Sequence, residues 1–208
     1  MINKKGLLLV VSGPSGTGKG TICKDIVAKH EDINLSISAT TRKPRVGEVE
    51  GKSYFFKTKE EFEAMVDRGE FLEHAMIYDN YYGTPKKAIF DELDMGRDVI
   101  LEIEMQGAMQ IKEVYPQAVF IFVLPPSLQE LRNRIVGRGT ETEEQIEKRF
   151  NSAYDEIKLL GDYDYFIFNN IVEILNILEV EKNKVSRYKK DILDMFEKEI
   201  KNVKTIIK

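Results

Sequence analysis

The sequence predicts an α/β fold: a parallel-sheet core flanked by helices, with a small β-rich lobe inserted in it and a helical lid. Three observations carry that expectation. The runs 7–12, 35–40, 98–103, 118–124 and 165–169 are mostly continuous in apolar residues rather than alternating, as in parallel strands covered on both faces. Helical patterns fall between them, and that alternation marks a sheet with crossover helices. Two stretches, 38–85 and 127–150, interrupt it with polar, aromatic and charged sequence.

The first run, Leu7-Leu8-Leu9-Val10-Val11, leads into Ser12-Gly13-Pro14-Ser15-Gly16-Thr17-Gly18-Lys19-Gly20-Thr21. It reads as a buried strand, a glycine-rich turn and the start of a helix. Such a turn brings its backbone close to a ligand. Its N–H groups cradle phosphate oxygens at the positive end of the helix. Lys19 is placed to reach the outer phosphates, and the spacing of Gly13, Gly18 and Lys19 fits the loop G-x-x-x-x-G-K. Gly20 stands where that motif has Ser or Thr, so the hydroxyl usually given to magnesium is missing there, and Thr21 offers one a position later. A helix is expected over 21–29, with Ile22, Ile26 and Val27 as its apolar residues.

From 38 to 85 the chain turns polar and aromatic, with Tyr54-Phe55-Phe56 and with Gly47, Gly51 and Gly83 as turn glycines. A short helix is expected at 59–68. Helical patterns then run from near Pro85 to Met95, with Gly96 as a stop, and over 107–114. The stretch 127–150 is dense in arginine and acid. Ser127 with Glu130 forms one capping box, and Thr142 with Gln145 can cap a second helix. Gly137-Arg138-Gly139-Thr140 breaks the run between them, so the stretch reads as a helix–loop–helix flap. The lysine-rich stretch 183–208 carries Ile192, Met195, Phe196 and Ile200 as an apolar stripe, expected to pack one edge on the body and leave a charged face in water. The division that follows is core at 1–37, inserted lobe at 38–85, core at 86–126, lid at 127–150, and core with C-terminal helices at 151–208.

At 208 residues the chain is expected to form one compact unit. Its net charge of -4 points to neither a nucleic-acid nor a membrane-surface partner. The one cysteine, Cys23, has no partner for an internal disulfide; it is expected as a small buried hydrophobe in a reducing, cytoplasmic setting. The first six residues are too short and polar for a signal peptide, and no apolar stretch reaches bilayer-spanning length. His30 and His74 lie far apart and suggest no metal cluster.

Several side chains carry candidate chemistry. In Ser38-Ala39-Thr40-Thr41-Arg42-Lys43-Pro44-Arg45, Arg42 and Arg45 can form forked, charge-assisted bonds to a phosphate; the alternative is a solvated loop. A purine such as guanine shows donors at N1 and at its exocyclic amine, and one carboxylate accepts both. Glu73 and Glu104 are the acids suited to that role. Tyr54 and Tyr82 can donate hydroxyls to a phosphate, and Thr84 can donate to the guanine carbonyl oxygen. Tyr81 and Phe55 are expected in the core of the lobe. Glu102 and Glu104 alternate at the carboxyl end of a strand and so share a face, at the edge where open α/β sheets bind ligands. They are expected to meet a ligand, an arginine or hydrated magnesium, unless they form a structural ion pair. Of the flap arginines, Arg134, Arg138 and Arg149 are expected to close over transferring phosphates, whereas Arg132 reads equally well as a surface residue.

Taken together, Ser12 to Lys19, Thr40-Thr41-Arg42-Lys43-Pro44-Arg45-x-Gly47-Glu48, Asn80-Tyr81-Tyr82-Gly83-Thr84, Glu102-Ile103-Glu104-x-Gln106-Gly107 and Arg138-Gly139-Thr140-Glu141-Thr142-Glu143 closely resemble the guanylate kinase family. The likeness runs in order from about residue 6 to residue 170. The glycine loop is common to many nucleotide-binding proteins; the other motifs together are far more specific. The resemblance implies a P-loop NTPase-like core, a GMP-binding lobe and a lid. It implies transfer of the γ-phosphate of ATP to GMP, and to dGMP as a second acceptor, with Mg2+, in purine nucleotide metabolism. By position, Gly13, Pro14, Ser15, Gly16, Thr17, Gly18, Lys19, Gly20 and Thr21 would hold ATP, and Asn169 would approach the adenine. Ser38, Arg42, Arg45, Tyr54 and Tyr82, with Gly83 beside them, would hold the GMP phosphate. Glu73, Thr84 and Glu104 would read guanine. Lys19, Arg42, Arg134, Arg138 and Arg149 would act on the transferring phosphoryl, a reaction that needs positioning and cation clamping rather than a base of special pKa.

Three positions depart from the family's pattern. Glu104 stands where Asp is frequent, so a longer arm must be accommodated. Gly20 is common in bacterial members, which leaves magnesium to the ATP phosphates, water and Thr21, with Glu102 as a further candidate. Asn169-Asn170 replaces the more frequent Asn-Asp. Two other readings compete with this one. A guanylate kinase-like binding module typically lacks part of the glycine loop, which is intact here. A kinase for another monophosphate or a phosphosugar does not call for Glu73, Thr84 and Glu104. The sequence leaves monomer or homo-oligomer open.

Overall fold

The computed structural model describes residues 4–77, 79–136 and 143–206. In chain order its elements are β1 (Leu8–Ser12), α1 (Lys19–Lys29), β2 (Ile33–Leu35), β3 (Ala39–Thr40), β4 (Phe55–Phe56), α2 (Lys59–Asp67), β5 (Phe71–Ile77), β6 (Asn80–Pro85), α3 (Lys86–Asp94), β7 (Asp98–Glu102), α4 (Met105–Val114), β8 (Val119–Val123), α5 (Leu128–Val136), α6 (Glu143–Ile157), β9 (Tyr165–Ile167), α7 (Ile171–Glu181) and α8 (Val185–Ile206). A 3-10 turn, Lys158–Asp162, separates α6 from β9.

The core is a five-stranded sheet in the order β2-β7-β1-β8-β9, with every pairing parallel. Alternation along the central strand sends Leu9 and Val11 to one face and Leu8 and Val10 to the other. The first pair packs with Ile22, Cys23 and Ile26 of α1 and Ile174 and Leu178 of α7. The second pair packs with Ile89 and Leu93 of α3 and Ala108 and Ile111 of α4. Both faces are therefore covered, which is why these strands read as continuous apolar runs. The carboxyl end of β1 delivers the glycine loop, and that of β7 delivers Glu102, to the same sheet edge.

The second sheet has the order β4-β3-β6-β5. Its β3–β4 pair is parallel, and its other pairs are antiparallel. Phe62 of α2 stacks on Phe71 and Tyr81, with ring centroids 4.5 and 5.3 Å apart, and is fully buried. That aromatic stack anchors α2 to the sheet.

Four expectations about the elements change. The strand expected at 35–40 is two strands in different sheets: β2 pairs with β7, and β3 pairs with β4 and β6. The chain crosses from core to lobe at Ser36, whose N–H still reaches the carbonyl of Ile100 at 2.9 Å. Gly83 is not in a turn; it lies inside β6, where a Cβ would stand 2.9 Å from the Phe71 ring and 3.0 Å from the Phe62 ring. Gly47 and Gly51 do sit at positive φ. Helix α7 was not expected; the Asn170 side chain caps it by accepting the N–H of Val172 at 2.9 Å. The stripe on α8 is split: Ile192 and Met195 are half-buried, following the buried Tyr188, whereas Phe196 and Ile200 are each 53% exposed. Ser127 does accept the Glu130 N–H, at 3.0 Å, ahead of α5. The expected break at 137–140 and the cap at Thr142 lie outside the described residues.

Candidate active site

The loop after β1 turns through positive φ at Gly13, Gly16 and Gly18 before α1 begins at Lys19. Its carbonyls are held within the protein. The Lys19 ammonium donates to the carbonyls of Gly13 and Pro14. The hydroxyl of Thr17, itself fully buried, donates to Pro14 at 2.9 Å. Backbone carbonyls so engaged leave the opposite, N–H side of the loop for an anion.

A cleft of about 600 Å3 joins this loop to the second sheet. Ser15, Gly16, Gly18, Lys19, Gly20 and Thr21 line one side. Ser38, Tyr54, Glu73 and Tyr82 line the other, with Glu102 and Glu104 between them from the end of β7. Residues up to 89 apart in sequence thus face one volume. Gly13, Pro14 and the buried Thr17 shape the loop from behind it.

The carboxylates differ in setting. Glu73 of β5 is buried, and its Oε1 accepts the Thr84 hydroxyl at 2.5 Å. Burial pushes the Glu73 carboxyl up, and the Thr84 bond only partly opposes this. Its Oε2 lies 2.7 Å from where a Cβ on Gly107 would stand, so glycine in the first turns of α4 gives that carboxylate its place. Thr84, expected to face guanine, is fully buried in β6 and turned to Glu73 instead. A buried carboxylate takes the nearest donor. Gly83 lies beside it in the same strand, below the cleft surface.

Glu102 stands over Gly20. A Cβ there would be 3.1 Å from Oε2 and 3.2 Å from Oε1. Burial raises the Glu102 carboxyl, opposed by Lys19 and Lys24. Lys19 is shifted down by burial, opposed by Glu104, Glu102 and Glu156. Glu104 occupies the N-cap position of α4.

Arg42 donates to Glu48 at 2.8 Å and to the Lys43 carbonyl at 2.7 Å, and its guanidinium lies 5.4 Å from the Tyr54 ring centroid. The bond to Glu48 raises the Arg42 pKa further. Arg45 is exposed beyond the cleft wall, and its backbone N–H bonds Glu48 at 2.7 Å. Arg134 of α5 pairs with Glu130 at 2.9 Å and reaches the Thr17 carbonyl at 3.4 Å. Asn169 donates to the same carbonyl at 2.8 Å. Arg138 lies outside the described residues. Arg149 belongs to α6, and its side chain is outside them as well.

Three contributors escaped the sequence reading. Lys24 lines the cleft one turn beyond Lys19. Glu48 holds Arg42. Glu156 on α6 acts electrostatically on Lys19. Five residues apart on one helix, Lys19 and Lys24 do not share a face by spacing alone, and the place of Glu156 depends on how α6 packs; only Glu48, inside the arginine motif, stood in a stretch the sequence marks. Among the described residues, no group of three or more His, Cys, Asp or Glu side chains could hold a metal ion unaided, and no helix is long and apolar enough to cross a membrane.

The family model described as Guanylate kinase matches residues 5–181. The chain belongs to the guanylate kinase family. Guanylate kinase from Clostridioides difficile (strain 630) is 66% identical over 205 residues, covering 96% of this chain and all of that protein. The one from Caldanaerobacter subterraneus subsp. tengcongensis is 55% identical over 193 residues, covering 90% and 94%. The crystal structure of guanylate kinase from Anaplasma phagocytophilum superimposes with a TM-score of 0.75 at 35% identity, covering 93% of this chain and 96% of that one. The family resemblance seen in the motifs therefore extends over nearly the whole chain.

Proposed function

We propose that this chain transfers the γ-phosphoryl group of ATP to GMP, giving ADP and GDP. The observation that carries the reading is that the glycine loop and the Glu73 carboxylate face one cleft, with room for a donor and an acceptor whose phosphates meet. In this reading the loop N–H groups and Lys19 hold the ATP phosphates. Glu73, turned by Thr84 and given space by Gly107, accepts the N1 and amine protons of guanine. Glu104 is the second acid for that edge. Ser38, Tyr54 and Tyr82, with Arg42 and Arg45, take the GMP phosphate. Adenine offers an acceptor at N1 where guanine offers a donor, so a buried carboxylate rejects it.

Lys19 and the arginines Arg42, Arg134, Arg138 and Arg149 are assigned to the transferring phosphoryl, whose spreading charge is met by fixed cations. The segment 127–150 would act as the lid that excludes water and so favours GMP as acceptor. The residues present fit Mg2+: the Glu102 carboxylate fills the space beside Gly20 that a Ser or Thr hydroxyl would share in other glycine loops, and Thr21 adds a hydroxyl at the cleft. Bound with ATP and held beside Glu102 and Thr21, the ion would supply neutralisation of phosphate charge. Cys23 is buried, and its thiol is pushed up to about 12 by burial, in keeping with an inert core residue.

The test is a coupled assay of ADP release with magnesium–ATP, comparing GMP, AMP, CMP and UMP. Turnover with GMP alone is expected. Turnover with another acceptor would keep a kinase and discard the roles of Glu73 and Glu104.

A further inference from the structure

Asn169 follows β9 with φ at +60°, a left-handed conformation that asparagine tolerates better than most residues. Its side-chain amide donates to the Thr17 carbonyl at 2.8 Å. The same nitrogen lies 2.6 Å from where a Cβ on Gly18 would stand. Asn169 therefore grips a single peptide unit of the loop, the one joining Thr17 to Gly18. Two earlier loop carbonyls are held from within: those of Gly13 and Pro14 accept from Lys19, and Pro14 also accepts from Thr17. The Thr17 carbonyl is held from outside, by Asn169 and by the longer reach of Arg134.

In a planar trans peptide the carbonyl and the following N–H point in opposite directions. Fixing the Thr17 carbonyl towards Asn169 turns the Gly18 N–H away from it, towards the cleft that Gly18 lines. We propose that Asn169 is a positioning residue that locks the Thr17–Gly18 peptide so that the loop presents its N–H groups to a triphosphate, whatever base that triphosphate carries. The role differs from the adenine contact that family position implies, and it rests on the reading of the loop as the donor-phosphate site.

Two variants separate the possibilities. Asn169→Gly keeps the positive φ and deletes the amide. Asn169→Asp keeps the size and sets a carboxylate oxygen against the Thr17 carbonyl. Affinities for magnesium–ATP, magnesium–tripolyphosphate and GMP are measured by calorimetry on the full chain, with thermal unfolding alongside. The expected result is an equal loss for ATP and tripolyphosphate, roughly tenfold in Asn169→Gly and larger in Asn169→Asp, with GMP affinity unchanged. A loss for ATP without one for tripolyphosphate would make Asn169 a reader of adenine and overturn the proposal. Unchanged affinity for both would overturn it too, as would an equal loss of all three ligands with lowered melting, the mark of a merely structural role. Failure of the unmodified chain to bind either triphosphate would instead remove the reading of the loop on which the proposal stands.

Discussion

Replacing Glu73 by Gln is expected to move binding and stability in opposite directions. The residue is 7% exposed and its carboxylate accepts the Thr84 hydroxyl at 2.5 Å. A glutamine keeps an oxygen for Thr84 but turns an amide N–H2 toward the two guanine donors. Both charge-assisted bonds are then lost. With part of that loss recovered by water, the cost is about 3 kcal/mol, or roughly a hundredfold in GMP affinity. ATP affinity stays as it was, since the loop is untouched. Stability goes the other way. Burial raises the Glu73 carboxyl, so the folded state binds this proton more tightly than the unfolded chain. Stability from such a group is present at low pH and is lost as pH rises through the raised value. The glutamine variant, neutral throughout, is therefore expected to melt at a higher temperature than the unmodified protein at pH 8, with the gap closing in acid. Calorimetric titrations with each nucleotide and melting curves across pH read both effects. An equal loss for ATP, or a variant that melts no higher than the unmodified protein at pH 8, would refute the reasoning.

Three further outcomes are expected. Lys19→Ala should lower turnover roughly a hundredfold to a thousandfold while the fold persists, as read by the coupled assay and circular dichroism; near-normal turnover removes Lys19 from the site. Gly107→Ala places a Cβ 2.7 Å from Glu73 Oε2, so GMP affinity should fall about tenfold, the equivalent of about 1.4 kcal/mol, with ATP affinity intact; titration with both ligands checks it. Glu181, fully buried at the end of α7, accepts from Tyr165 and pairs with Lys184 and Arg187. Burial raises its carboxyl, but these partners outweigh that and hold it below the ordinary value. Its contribution is therefore present above the unfolded carboxylate pKa and lost as pH falls through the folded one. Glu181→Ala should cost about 3 kcal/mol at neutral pH and less in acid, measured by urea unfolding.

Much of the core was legible because a parallel sheet covered on both faces leaves continuous apolar runs, and the loop because its chemistry needs glycines at fixed spacing. What escaped depended on contacts through space. The run 35–40 alternates Leu35, Ile37 and Ala39 with Ser36, Ser38 and Thr40, as one half-buried strand would, and nothing local marks the point where it leaves one sheet for another. Gly83 looks like a turn glycine but answers to two phenyl rings packed on its strand. Helix α7, Ile171–Glu181, is dominated by apolar and β-branched residues with only a thin polar stripe at Glu173, Asn176 and Glu179, so its composition reads as strand as readily as helix. In the site, the residue types were legible and their partners were not. Thr84 reads as a ligand donor, but its bond to Glu73 is a contact through space that no local pattern shows, and the same holds for the Asn169 amide on the Thr17 carbonyl.

The central claim, one cleft holding donor and acceptor with their phosphates in line, is tested most directly with a bisubstrate analogue that joins adenosine and guanosine through five phosphates. Its affinity should exceed that of ATP or GMP alone by at least about a hundredfold, because the second half binds at high effective concentration. That gain should vanish in both Lys19→Ala and Glu73→Gln. Affinity no better than that of ATP, or equal affinity for the analogue with adenosine at both ends, would contradict it.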